Sequence, residues 1–164
     1  MSVVLRPMHD GDVDAIIHLS LLAWAPVFES FQHVLGSAIY TQLYPDWRTS
    51  QRTVVESMCR DTEKYIGWVA EHETMVVGFI LYEVNTHEHV GEVQLLAVHP
   101  AHQKLGIATQ LNNVALQQMK MHGMHLAVVG TGGDPGHAPA RAAYEKAGYT
   151  PLPLVRYYKM LIDE

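Results

Sequence analysis

The stretch Val98-His99-Pro100-Ala101-His102-Gln103-Lys104-Leu105-Gly106-Ile107-Ala108-Thr109 follows the apolar run Val93 to Val98 and leads into a helical pattern. A short polar loop with a glycine at the start of a helix can aim several backbone N–H groups at one point, where the helix dipole favours negative charge. Such a loop binds phosphate without many arginines, so it points to a phosphorylated cofactor. The general glycine-rich patterns are absent, with neither GxGxxG nor GxxxxGK[ST] in the chain. The pairs His87-x-His89, His99-x-x-His102 and His122-x-x-His125 could ligate metal, yet none combines with cysteines or forms HExxH. They predict no metal site. The single cysteine, Cys59, lacks a motif that would supply a base, and reads as an inert thiol.

The elements that must position the loop follow from periodicity. Val3 to Arg6 reads as a short edge strand ended by Pro7. Asp10 caps a helix carrying Val13, Ile16, Ile17, Leu19, Leu21 and Leu22, which Pro26 is expected to disturb. Residues 27–61 read as one or two helices with a break near Tyr44-Pro45-Asp46. Tyr65 to Glu71 and Met75 to Glu83 are strand-like around a turn at His72-Glu73-Thr74, and Val90 to Val98 is a third strand. A helix over Gly106 to Met121, a strand over His125 to Gly130, a loop at Thr131-Gly132-Gly133-Asp134-Pro135-Gly136 and a helix over Ala138 to Ala147 come next. Gly148 is its C′ residue. Tyr149 to Leu152 and Val155 to Ile162 read as closing strands. The order predicts a single α/β domain, residues 1–164, with helices on both faces of a mixed sheet.

Composition narrows the class. The 164 residues are 48% hydrophobic and 17% charged, as in a soluble globular protein. A net charge of −6 argues against nucleic-acid binding and suits a cationic substrate. Neither a bilayer-length apolar run nor a signal peptide is read, and one cysteine cannot pair internally, so a cytoplasmic protein without a membrane partner is expected. Eleven histidines make solubility near pH 6 sensitive to acid.

Gln103-x-x-Gly106-x-Ala108, placed between the strand ending Leu96-Ala97-Val98 and an amphipathic helix, resembles the acetyl-CoA signature [RQ]-x-x-G-x-[GA] of the GNAT N-acetyltransferases. The Val-x-Pro lead-in and the segment Ala140-x-x-x-Tyr144-Glu145-Lys146-Ala147-Gly148-Tyr149 resemble that family as well, as does the element order over nearly the whole chain. The resemblance implies a largely antiparallel sheet of about six to seven strands. Splayed strands would form the acetyl-CoA cleft. It implies that Leu96, Ala97 and Val98 pair with pantetheine and that the amides of Lys104, Leu105, Gly106, Ile107, Ala108 and Thr109 hold the pyrophosphate, with Gln103 in the signature. Lys104 stands where glycine is common and Leu105 where a basic residue is common, departures that would weaken phosphate binding or alter the adenosine end. His137 stands where many relatives have an asparagine that contacts the coenzyme.

Acetyl transfer to an amine needs a base for the ammonium proton, a donor for the oxyanion and an acid for the leaving thiolate. The resemblance assigns the oxyanion donor to the Val98 N–H and the acid to Tyr144. Glu92 is the leading base candidate, with Glu83 and His89 as rivals. It begins the strand and lies an even number of residues from Val98, on the same nominal face unless a bulge intervenes. Gln94 would orient substrate or water. For the acceptor, the resemblance points to the early helices and the late loop, hence to Trp24, Phe28, Glu29, Glu92 and Asp134. Most of the aromatics in those segments are expected to pack, and Asp134 more readily caps a turn than binds substrate. The expected activity is transfer of acetyl from acetyl-CoA to a primary amine of a small molecule, such as an aminoglycoside-like antibiotic, a polyamine or an amino-acid derivative, directly within a ternary complex. Acetylation of a protein N-terminus or lysine, and acyl-CoA binding without catalysis, remain the alternatives. A homodimer is compatible with the resemblance.

Overall fold

A computed structural model describes residues 1–162. Residues 1–23 with 50–130 form one compact unit, and residues 24–49 with those from 131 onward form another.

The first unit is built on five strands, β1 (Val4–Pro7), β2 (Ile66–His72), β3 (Met75–Asn85), β4 (Val90–Val98) and β5 (Leu126–Val129). They lie in the order β1-β2-β3-β4-β5, antiparallel except for the parallel pair β4–β5. Helix α4 (Ile107–Met121) returns the chain from β4 to β5, as a parallel pair requires. Ile107, Leu111, Ala115 and Met119 of α4 pack on Ile80, Tyr82, Val93 and Val98 to form the core on one face. Gly78 permits this approach, because a Cβ there would stand 3.1 Å from Ile107 and Leu111. The alternate residues Val69, Phe79 and Leu81 are buried on the opposite face, and so are Val13, Ile16 and Leu19 of the long helix α1 (Val13–Leu35) and Val55 and Cys59 of α3 (Trp47–Arg60). The result is a mixed sheet with helices on both sides.

Two sequence expectations are corrected here. Pro26 does not disturb α1, which runs through it. Pro26 and Leu22 are both exposed, so the turn that lacks this intrahelical hydrogen bond lies at the surface. The strands expected at Tyr149 to Leu152 and Val155 to Ile162 do not form, and the described sheet has five strands instead of six or seven. A strand exists only where its backbone finds a partner, and Pro151 and Pro153 lack the N–H such pairing uses. By length and composition α1 could cross a bilayer. Its apolar stripe Val13, Ile16, Ile17 and Leu19 is instead buried within the protein.

The second unit contains α2 (Ser37–Leu43), with the expected break between it and α3 at Tyr44-Pro45-Asp46, and α5 (Ala138–Lys146). Its interior is aromatic. Phe28 stacks on Trp47 at 4.4 Å and meets Tyr44 edge-on at 5.3 Å, while Phe31 stacks on Tyr44 at 5.5 Å.

Candidate active site

The β4–β5 pair forks. Pairing runs from Val90↔Leu126 to Val93↔Val129 and stops, while β4 continues to Val98. Leu95, Leu96, Ala97 and Val98 thus keep their pairing to β3 and leave the other edge of the backbone open. The fork begins where the β3 register slips. Leu81 faces Leu95 and Tyr82 faces Val93, so Gln94 is a surplus residue in β4, a β-bulge. Bulges bend a strand and increase its twist, and this one stands where the pairing of β4 with β5 ends.

The bulge overturns one sequence argument. Val98 pairs with Gly78 and Glu92 with Glu83. Gly78 and Glu83 are five residues apart in unbroken β3, so they and their partners lie on opposite faces. Val98 joins the α4 face, whereas Glu92, Glu83, Leu95 and Ala97 share the other. Glu92 and Val98 therefore do not share a face. Glu92 is half-buried at the root of the fork, and Gln94 Nε2 donates to Glu83 at 3.1 Å. Lys64 Nζ stands 3.8 Å from Glu83. A cleft of about 800 Å³ is lined by Glu92, Glu83, Asp61, Glu63, Glu88 and Lys64 among others, and is strongly acidic.

Beyond Val98 the loop is held by its own side chains. His99 Nδ1 accepts from the Ala101 N–H at 3.1 Å, capping a short 3-10 turn, Pro100–His102. Gln103 Nε2 donates to the Val98 carbonyl at 3.1 Å, tying the loop back to the strand end. Lys104 and Gly106 are both left-handed, at φ 64° and 79°. Lys104 thus occupies a conformation that favours glycine, at about 1–2 kcal/mol for a residue with a Cβ. Gly106 is the N-cap of α4 and carries no side chain to cap it. The first-turn N–H groups at Ile107, Ala108 and Thr109 are therefore left to an external acceptor, and a Cβ at Gly106 would meet nothing within 4 Å. Open amides, a helix dipole and free space form a cradle fit for an anionic diphosphate.

In the second unit, Asp134 caps the 3-10 turn Pro135–His137, accepting from the Gly136 N–H at 3.1 Å. It also accepts from Ser30 Oγ at 2.6 Å and holds His137 through Nδ1. Burial alone would push this carboxyl up, but the Ser30 and His137 hydrogen bonds outweigh it and hold Asp134 below its ordinary value. Asp134 is thus committed as a cap, the role favoured from sequence. His137 also packs on Phe31 at 5.6 Å. Arg141, overlooked in the sequence, donates to the carbonyls of Gly132 at 2.6 Å and Asp134 at 2.7 Å, which fixes the loop. Ser30 was overlooked too, since its partner lies 104 residues away and no local pattern marks it. Trp24 and Phe28 are half-buried, and Phe28 is used in packing. Glu29 is exposed beside a cavity of about 710 Å³ lined also by Ser30, His33 and Pro135. Tyr144 is half-buried on α5, edge-on to Tyr149 at 5.6 Å, and burial pushes its phenol up to about 12. Cys59 is buried and pushed up to about 11, so it stays a thiol at neutral pH. Among the described residues, no three of His, Cys, Asp or Glu converge on a metal position.

A sheet edge left open beside an uncapped helix N-terminus is an arrangement suited to a phosphorylated ligand. Residues 27–149 match the acetyltransferase (GNAT) family, and the chain belongs to that family. No curated protein matches it in sequence. Among solved structures it is similar to a PaiA N-acetyltransferase from Thermoplasma acidophilum in complex with coenzyme A. The identity is 17% over 90% of this chain and 89% of that one, with a TM-score of 0.67. It is also similar to AAC(6')-Iy bound to the bisubstrate analogue CoA-S-monomethyl-acetylneamine, at 14% identity over 99% and 100% of the two chains and a TM-score of 0.66. A ribosomal-protein-alanine N-acetyltransferase from Brucella melitensis biovar Abortus 2308 is similar at 17% identity over 97% and 99%, with a TM-score of 0.60. At these identities the likeness is one of fold.

Proposed function

We propose that the chain is an acetyl-CoA-dependent N-acetyltransferase for a small, positively charged amine. The observation that carries this reading is the fork between β4 and β5, opening toward a loop whose helix N-terminus has no cap of its own. Acetyl-CoA would supply the activated acyl group as a thioester. The open β4 edge at residues 94–98 would pair with the amide-bearing pantetheine arm, and the amides at Lys104 to Thr109 would hold the diphosphate. The Val98 N–H is assigned as donor to the oxyanion and Tyr144 as hydrogen-bond donor to the departing sulfur. An extended strand places Glu92 roughly 20 Å from Val98. In this reading Glu92 therefore stands too far from a thioester at Val98 to take the proton of the attacking amine, and it would hold a distant ammonium of a polycationic acceptor. Direct transfer in a ternary complex is the proposed course. The acidic cleft around Glu92 supports a cationic acceptor.

Release of coenzyme A thiol tests this with a panel spanning aminoglycosides, polyamines, amino-acid derivatives and peptides. Turnover on a polycationic small molecule is expected. Turnover on peptides alone would transfer the reading to protein acetylation, and acetyl-CoA binding without any turnover would defeat it. Glu92→Gln is expected to raise the KM for a polycationic amine roughly tenfold with kcat little changed, because it removes charge that binds the acceptor. A fall in kcat with KM unchanged would make Glu92 a base instead. Gly106→Ala forces a Cβ into a left-handed position at a cost of about 1–2 kcal/mol. The free loop escapes that strain by relaxing and must recover it on binding. Calorimetry should show the coenzyme A Kd rising roughly tenfold, equivalent to about 1.4 kcal/mol.

A further inference from the structure

With Glu92 out of reach of the thioester, the proton of the acceptor ammonium still needs a destination. The second unit holds an oriented carboxylate–imidazole pair. Asp134 Oδ1 meets His137 Nδ1, while Oδ2 accepts from Ser30 Oγ at 2.6 Å and from the Gly136 N–H at 3.1 Å. Against its burial, the bonds from Ser30 and His137 hold Asp134 below its ordinary value, so it is a carboxylate and only accepts. His137 Nδ1 therefore donates, and in the neutral ring the lone pair lies on Nε2. Among the described residues no hydrogen bond occupies Nε2, and the side chain keeps 16% of its surface open. Capping the turn uses Oδ2 alone, whereas Oδ1 serves His137 only. The surroundings hold the pair in place. A Cβ on Gly132 would collide with both His137 Nδ1 and Asp134 Oδ1, so the missing side chain leaves them room. Phe31 packs on the imidazole, and Arg141 fixes the loop carbonyls. His137 is the N-cap of α5, and Tyr144 lies seven residues on, two turns along the same face. The two positions stand about 10 Å apart along the helix axis. That span takes a reacting carbon, an attacking nitrogen and one bridging water at steps of about 3 Å.

We propose that His137 Nε2 is the general base of the reaction, taking the proton of the acceptor ammonium through one water, with Asp134 as its positioning residue. The inference rests on the acetyltransferase reading above, in which Tyr144 donates to the sulfur. The ammonium gives one proton by way of the water to Nε2. The freed lone pair forms the N–C bond to the acetyl carbon, and the C–S bond breaks with its electron pair left on sulfur. The second proton, lost from nitrogen as the amide forms, reaches the thiolate through solvent. His137 then returns its own proton to solvent. Asp134 stays ionised throughout and stabilises the imidazolium. The other ionisable groups around the pair are Arg141, turned onto the loop carbonyls, and Tyr44. Burial pushes the Tyr44 phenol up, and nearby groups that include Asp134 add to this, so it stays neutral where the imidazole titrates.

The pH dependence of kcat/KM for a primary amine, followed by release of coenzyme A thiol, tests the assignment. Wild type is expected to rise through an inflection in the imidazole range, about pH 5 to 8, and then stay level up to the range of the amine itself, near pH 10. Without a base only the free amine reacts, and the rate would climb tenfold per pH unit up to that range. Such a climb overturns the proposal, and so does an inflection below pH 5, which would assign a carboxylate. His137→Asn keeps a donor for Asp134 and has no Nε2. It should lower kcat/KM for the amine about 10²-fold at pH 7, with the KM for acetyl-CoA little changed, and recover near pH 10, where the acceptor needs no base. An equal loss at both pH values would mark His137 as structural. A variant with the wild-type profile overturns this proposal alone, whereas wild type without turnover on any amine overturns the acetyltransferase reading together with it. The wild-type profile decides the matter even if the variant fails to fold.

Discussion

Tyr144→Phe is expected to lower kcat by about 10²-fold with little change in the KM for acetyl-CoA, within the range for loss of a positioned acid. The variant keeps the ring and its edge-on contact with Tyr149, so it removes the hydroxyl alone. Burial pushes the Tyr144 phenol up to about 12, with Tyr149 adding to the rise. The hydroxyl therefore keeps its proton throughout the neutral range. A phenol at that value is a weaker acid than an ordinary thiol, near 8.5, so full transfer to the sulfur is uphill. In the proposed reaction its part is a hydrogen bond to the growing thiolate, with solvent completing protonation afterwards. Two outcomes follow for the pH profile. The wild-type rate should show no inflection from Tyr144 below about pH 11, and the loss in the Phe variant should be nearly constant from pH 6 to 9. An unchanged kcat at every pH would remove Tyr144 from the mechanism.

Asp12→Ala should cost about 2–4 kcal/mol of stability, somewhat below the range for breaking a fully buried pair because Arg6 keeps some water. The Asp12 side chain is 4% exposed and Arg6 25%. The two form a fork, Nη1 to Oδ2 and Nη2 to Oδ1, both at 2.8 Å. Arg6 also donates to Glu71 from Nε at 3.0 Å, and Asp12 accepts from the His9 N–H at 2.9 Å. One guanidinium thus ties β1 to β2 and to the turn that starts α1. Burial by itself would push the Asp12 carboxyl up, but the bonds from Arg6 and His9 more than offset it and leave it below its ordinary 3.8. A carboxylate with a lowered folded value stabilises above its unfolded value and loses that contribution as pH falls through the folded one. The stability gap between wild type and Asp12→Asn should stay level from pH 8 to 5. It should then shrink below about pH 4. Urea titrations at several pH values measure this directly, and a gap that instead widened in acid would contradict the assignment.

The legible parts of the fold were those set by short-range physics. β4 ends where read because Pro100 follows, and α4 starts just after Gly106, whose left-handed backbone turns the chain there. The break at Pro45 is local in the same sense. Lys104 looked like a mere departure from a family pattern, while its φ of 64° shows the conformational reason glycine is common at such a position. What escaped depends on partners distant in sequence. The bulge at Gln94 is a property of the β3–β4 register, so counting along β4 alone placed Glu92 on the wrong face. Ser30 and Arg141 act on the 132–136 loop from separate helices, and neither has a local signature. The strands expected at residues 149–162 do not form, since strand propensity read along the chain says nothing of whether the backbone finds a partner.

The surplus residue in β4 also sets what the cleft tolerates. Both flanks of Gln94 already pair with consecutive residues of β3, Tyr82 and Leu81. A chain lacking that residue could keep every other pairing, and its apolar side chains would stay where they are. Its strand would lose the bend that stands where pairing with β5 ends. One inserted amino acid thus shapes this edge of the sheet without changing a single apolar contact partner of β4 on β3.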